Sequence, residues 1–434
     1  MLLISTPFVA LARNQSRTLG LPTLPTVVLP HPIGGTTMDT IAPKLDAAFP
    51  ELLAKLTVPL DAARSAASAS APLAQRIEFS LDDEWGGLQD AFVDRGWSDG
   101  LPLVPPTEER VRDMLRFVDR RPDEIIGTIA PKMGAATVET IAVNAVMAGC
   151  RPEHMPLLVA VAAALSAREL NLYGLQTTTH CVAPLLIVGG PLAARLRINA
   201  GSSTFGPGPW SNGVVGRAVR LLLLNVGGGT PVEIDKATMG HPGKFTYCIA
   251  ENESASPWPS LRAERGYGAE VSTVTLVGAE APHNINDHES TTAGGLLTMI
   301  GKTMAQPGQN NVYYAGEPLL LLSPEHAATI AAEGYSKDDV RRSLHELARM
   351  PLSSFSRDNI ERRMYRKFPK TYRDRSLDTM VTVAQRWEDF MIVVTGGPGK
   401  HSMYVPTFGG TRAVTRPIVH ADGRPFAVAD FDKQ

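Results

Sequence analysis

The stretch STVTLVGAEAPHNINDHES, Ser272 to Ser290, passes from an apolar, β-rich run into a segment dense in polar side chains. Its first half decides the fold class. A short, continuous apolar run that ends in turn residues is a strand covered on both faces. Three further runs have the same character: APLLIVGGP from Ala183, PLLLLSPEH from Pro318 and FMIVVTGGPG from Phe390. Between them lie helical patterns such as NGVVGRAVRLLLLNV and TTAGGLLTMIGKTMA. Strands alternating with helices predict an α/β fold with mostly parallel or mixed sheets and flanking helices. No repeat of fixed period is visible.

Upstream, ATVETIAVNAVMAG predicts an apolar helix stopped by Gly149, and MPLLVAVAAALSA a helix apolar all round and hence buried. Thr107, with Glu108 and Glu109 behind it, marks another helix start. Residues 1–60 read as strand, helix, strand, helix: a small partial α/β unit, too short to bury a core of its own. Residues 61–76, rich in Ala and Ser, read as a linker, and 77–434 as the large α/β domain that carries the active site.

Composition excludes several function classes. The chain has 434 residues, 44% hydrophobic and 20% charged, with net charge -2. A basic stripe for nucleic acid is missing. The basic run from Arg357 to Arg375 is interleaved with acids and aromatics, and reads as a solvated helical face or subunit contact ahead of an anionic-ligand site. No run of about 18 apolar residues suggests a membrane span, and the N-terminus lacks the basic region and cleavage site of a signal peptide. Cys150, Cys181 and Cys248 are odd in number and well separated, which predicts reduced thiols and a cytoplasmic protein.

The candidate chemistry lies in the polar segments. His283, Asn284, Asn286, Asp287, His288 and Glu289 are expected in a strand-to-helix loop, with the helix starting near Ser290 or Thr291. An imidazole beside a carboxylate suits general acid–base work, because the carboxylate orients the ring. His283 and Asp287 are four apart, as are Asn284 and His288, so either pair would share a face of a helix that began earlier. The bland alternative is a polar loop that caps the helix. GHPGKFTYCIAENESASPW, Gly240 to Trp258, adds His241, Lys244, Glu251, Asn252 and Glu253, with Cys248 reading as a small buried hydrophobe. His180 precedes a strand, where a structural histidine is the commoner outcome. Asn199 to Ala218 is a Gly/Ser/Pro-rich loop suited to lining a substrate, though not a phosphate-binding P-loop. Lys400 and His401 are the polar residues after the last apolar run.

Several of these strings together resemble the UGSC selenoprotein family, named for a selenocysteine-Gly-Ser-Cys motif in which Cys often replaces selenocysteine. TPFVALARNQSRTLGLPTLPTVVLPHPIGG is similar to the second half of that family's small α/β domain. GTIAPKMGAATVETIAVNAVMAGCRPEHMP, QTTTHCVAPLLIVGGP, IDKATMGHPGKFTYCIAENESASPW and STVTLVGAEAPHNINDHESTT resemble the long region that accompanies it in some members. The resemblance implies a selenol or thiolate at a helix N-terminus, where the dipole lowers its pKa. The naming motif would precede LLISTPF, so the expectation is a true start upstream of Met1 or a partner subunit that carries the motif. None of the three cysteines takes its place.

The expected function is therefore a thiol- or selenol-linked oxidoreductase acting on a small polar substrate. His283 or His288 moves a proton, Asp287 orients the ring and Glu251 is a second acid or base. Asn284, Asn286, Lys244, His241, Asn252, His180 and His401 bind substrate. One alternative is a metal-dependent hydrolase or lyase with His283, His288 and either His180 or His241 as ligands. Another is a non-catalytic partner subunit. No motif identifies a cofactor, and a homo-oligomer is compatible with the composition.

Overall fold

The computed structural model describes residues 1–18, 21–57 and 85–432. Strands β1 (Leu2–Ser5) and β2 (Thr26–Leu29) pair in parallel, Leu2 opposite Thr26. The helices Val9–Thr18 and Met38–Thr57 complete this small unit. Val27 and Leu29 are buried while Val28 is exposed, the alternation a strand with one covered face must show. The Ala/Ser-rich stretch 61–76 lies outside the described residues.

The remaining strands are β3 (Ile125–Ile129) and β4 (Gly134–Thr137), an antiparallel hairpin, then β5 (Ala183–Gly189), β6 (Cys248–Ala250), β7 (Thr273–Ala279), β8 (His283–Asn286) and β9 (Leu319–Leu322). They are followed by β10 (Arg349–Pro351) with its antiparallel partner β11 (Met380–Thr382), then β12 (Met391–Val394), β13 (His401–Val405) and β14 (Val414–Pro417). Two four-stranded mixed sheets result, ordered β14-β7-β5-β6 and β8-β13-β9-β12. In each, a central strand has a parallel neighbour on one side (β6 on β5, β12 on β9) and two successive antiparallel pairings on the other.

The two sheets follow one plan, and they exchange a strand. β8 follows β7 in the chain but pairs with β13, and β14 follows β13 but pairs with β7. Where the two connections pass, Glu280 N donates to Pro406 O at 2.8 Å and Phe408 N to Gly278 O at 2.9 Å. The segments APLLIVGGPLAA and EPLLLLSPEHAA, which enter the central strands β5 and β9, keep a trace of the shared plan.

Four layers follow from strand periodicity. Leu185 and Ile187 of β5 point one way and meet Leu319 and Leu321 of β9 in the core between the sheets. Leu186 and Val188 point the other way, onto the helices Val138–Ala148, Met155–Leu165 and Trp210–Asn225. Leu320 and Leu322 likewise meet Ala293–Met304, Pro324–Ala332 and Lys337–Leu347. A strand buried on both faces must be continuously apolar, which is why the four runs are so plain in the sequence. Thr137 caps the helix Val138–Ala148, and Gly149 ends it at φ 86°. Among the described residues no single helix is long and apolar enough to cross a membrane.

Candidate functional site

The stretch from His283 is a strand, not a loop. β8 spans His283–Asn286 and pairs antiparallel with β13, Asn286 opposite His401 and Asn284 opposite Met403. The next helix starts at Ala293, with Thr292 as its N-cap, so neither four-residue pair shares a helical face. His283 is exposed on this edge strand. Asp287 is buried, and its Oδ1 accepts from the backbone N–H groups of Glu289 (3.2 Å) and Ser290 (3.0 Å). Burial works to raise its pKa, but the hydrogen bonds from Ser290 and Glu289 outweigh it and hold the carboxyl below its usual range. Asp287 therefore shapes the turn into the helix and makes no hydrogen bond to either neighbouring histidine.

The structure brings together Asn284, His288 and His401 instead. The Nε2 atoms of His288 and His401 stand 3.2 Å apart with the rings edge to face, and His401 Nδ1 donates to Asn284 Oδ1 at 3.0 Å. Lys400 Nζ donates to the His288 carbonyl at 2.8 Å. Behind them lies a histidine that sequence reasoning missed: buried His326, Nδ1 2.7 Å from Ser402 Oγ and Nε2 3.1 Å from the Asp287 carbonyl. Burial holds its pKa below the usual imidazole range. A single histidine in the first turn of a helix has no spacing that would mark it.

Glu251 does not join this group. It follows β6, and Asn252 N donates to Val394 O at the end of β12, the sheet edge opposite β8. Three strand spacings of about 4.8 Å, roughly 14 Å, separate those edges. Glu251 Oε2 accepts from Leu261 N at 2.8 Å, Lys337 Nζ stands 4.0 Å from Oε1, and burial pushes the carboxyl up to about 7. Asn252 Oδ1 accepts from Ser254 Oγ, and Glu253 forms a paired salt bridge with Arg262. Lys244 is held at 2.7 Å by buried Asp235. Asn212 ties down the Asn199–Ala218 loop by accepting from Asn199 N and donating to the Cys248 carbonyl.

The densest chemistry sits where the two halves cross. β5 and β7 are antiparallel, with Ala183 opposite Ala279, so the residues just before β5 meet those just after β7. His180 Nε2 lies 2.8 Å from Glu280 Oε1, both side chains half-buried. The carboxylate only accepts, so Nε2 carries the proton and the Nδ1 lone pair is left, buried and without a partner. His241 stands edge-on to Tyr247, whose hydroxyl donates to the Glu280 carbonyl at 2.7 Å. His241 Nδ1 accepts from Gly243 N, so its Nε2 bears the proton; that N–H turns toward the Ala279 carbonyl without completing a hydrogen bond. Burial lowers the pKa of His241. The ligand atoms of His180, Cys181 and Glu280 lie within 4.8 Å of one another, among the described residues the one group of three such side chains so placed. Glu280 was not singled out from the sequence, because its partner lies 100 residues away.

At the other end of the chain, the first 57 residues form the parallel strand-helix-strand-helix unit expected of the family resemblance. Residues 1–58 match the model of the UGSC family. No curated protein and no solved structure matches the chain. Burial works against thiolate formation at all three cysteines. Burial raises the pKa of Cys150, of Cys248 to about 12, and of Cys181, where Glu280 adds to it.

Proposed function

We propose that the chain is an enzyme that transfers a proton on a small polar substrate, with hydrolysis or elimination as the reaction class, at the crossing of its two halves. The observation that carries this reading is the His180–Glu280 pair at 2.8 Å with the imidazole Nδ1 left unpartnered. A carboxylate fixes the tautomer and orients the ring, the arrangement general-base catalysis uses. His241 offers the complementary group, an N–H that completes no hydrogen bond with the Ala279 carbonyl it faces. This reading moves the acid–base pair from His283 and Asp287, where the sequence suggested it, to His180 and Glu280.

A second reading is favoured by the proximity of Cys181. The donor atoms of His180, Cys181 and Glu280, all within 4.8 Å of one another, would form a ligand set for a zinc-like ion, which would lower the pKa of a bound water to about 7. Thiol or selenol redox chemistry, which the name of the family matched at residues 1–58 brings to mind, would on this reading come from a partner subunit, because burial raises the pKa of Cys181.

The test is a turnover screen of small amides, esters and hydroxy acids against the wild type, E280Q and H180N. A substrate whose turnover falls at least 100-fold in both variants, with the unfolding midpoint kept within a few degrees, supports the reading. Turnover that survives both substitutions refutes it. Dialysis against a chelator separates the two mechanisms: the acid–base enzyme keeps its activity and the metalloenzyme loses it.

A further inference from the structure

The imidazole pair on the exchanged strand has no part in that proton chemistry. We propose that His288 and His401 form a site for a divalent transition ion, which staples the two halves of the large domain together. His288 follows β8, contributed by the first half, and His401 opens β13, contributed by the second. Any ion held by both closes the strand exchange from outside.

Three observations argue for a ligand here. The first is spacing. Two nitrogens bound about 2.0–2.1 Å from a tetrahedral ion stand roughly 3.3 Å apart, and the two Nε2 atoms are already 3.2 Å apart. The backbone that carries each ring is held in place, one on a paired strand and the other one residue past Asp287, whose carboxylate accepts from two backbone N–H groups. An ion would enter with little rearrangement.

The second observation is tautomer. Asn284 Oδ1 can only accept, so His401 carries its proton on Nδ1 and presents a bare Nε2 lone pair. This is the outer-shell hydrogen bond that orients a metal-binding imidazole and fixes its donor atom. His288 now donates its Nε2 proton to that lone pair. On ion binding the proton moves to Nδ1 of the same ring, and the net charge of the pair does not change.

The third observation is access. His288 and His401 are both exposed, so water, a buffer ion or a partner's group can fill the remaining coordination positions. Imidazole ligands without thiolate or carboxylate select Zn, Ni or Cu over Mg or Ca. Lys400 opposes the ion with its charge, and the hydrogen bond from Lys400 Nζ to the His288 carbonyl holds that charge nearby. Removing the Lys400 charge should therefore tighten binding.

Nickel binding to the untagged protein, measured by calorimetry in the H180N/E280Q background, tests the site apart from the crossing centre. One equivalent of nickel is expected. Its Kd should weaken at least tenfold in H288Q and in H401Q, and by 10–100-fold in N284A, and it should tighten in K400Q. Saturating nickel should raise the unfolding midpoint by several degrees, an effect that vanishes in H401Q. Both histidines are exposed, so these variants fold. Nickel binding that is absent in that background, or unchanged by H288Q and H401Q, overturns the proposal. Neither result bears on proton transfer at His180 and Glu280, whose failure would show only in the turnover screen.

Discussion

Glu280 and Asp287 carry the same functional group within one short stretch, yet their surroundings divide their roles. Glu280 meets an imidazole, while Asp287 meets two backbone N–H groups at the entry to a helix. A carboxylate in that position stabilises a turn. We expect D287A to cost about 1–2 kcal/mol of stability in urea denaturation, the scale for losing hydrogen bonds to a buried charged group. It should leave turnover of the folded protein within a factor of a few. A variant as stable as the wild type but inactive would return Asp287 to the catalytic role its place between two histidines first suggested. Residue types alone show that imidazoles and carboxylates are present. Which of them meet depends on strand pairing across 100 residues for His180 and Glu280, and across 113 for His288 and His401. No local pattern encodes that.

The same division holds among elements. The four strands β5, β7, β9 and β12 were legible because burial on both faces demands continuous apolar sequence. So were the helix stop at Gly149 and the start at Thr107, where backbone chemistry restricts the residue. β8 was not legible. Of its four residues only Ile285 is buried, so neither alternation nor an apolar run marks it, and its partner β13 supplies the order. Ile285 reaches the core formed by the second half's helices and by Tyr404. It is thus the side chain that anchors the exchanged strand in the other half. Ile285→Ala should cost about 2–5 kcal/mol by denaturant unfolding, the range for a fully buried Ile. The exposed neighbour substitution N286A should cost under about 0.5 kcal/mol. Equal, small effects from both would mean that β8 is only laid against the sheet and is not needed to hold it.

For the whole molecule, exchange of strands couples the halves, and two buried groups that belong to no site make its stability respond to pH. Burial lowers the pKa of His154 from 6.5 to about 4; its Nδ1 accepts from Arg151 N and its Nε2 bonds Ser211 Oγ. Folding therefore favours the neutral ring. Its contribution is present above pH 6.5 and is lost as pH falls through about 4. Burial raises Glu251 from 4.5 to about 7, despite Lys337 nearby. Folding there favours the protonated acid, so its contribution is full below 4.5 and declines as pH rises through about 7. Between about 4.5 and 6.5 the two slopes have opposite sign and nearly cancel. Glu251→Gln removes one of them. The stability difference between wild type and E251Q should then change by about 3 kcal/mol between pH 4.5 and 7, with the wild type losing ground as pH rises. E251Q itself should show the acid sensitivity that the wild type masks. Denaturant unfolding of both proteins at half-unit pH steps measures this directly. A difference that stays flat from pH 4.5 to 7 would mean that Glu251 ionises as freely in the folded chain as in the unfolded one, and that the contact between β6 and the helix Lys337–Leu347 carries no buried charge penalty.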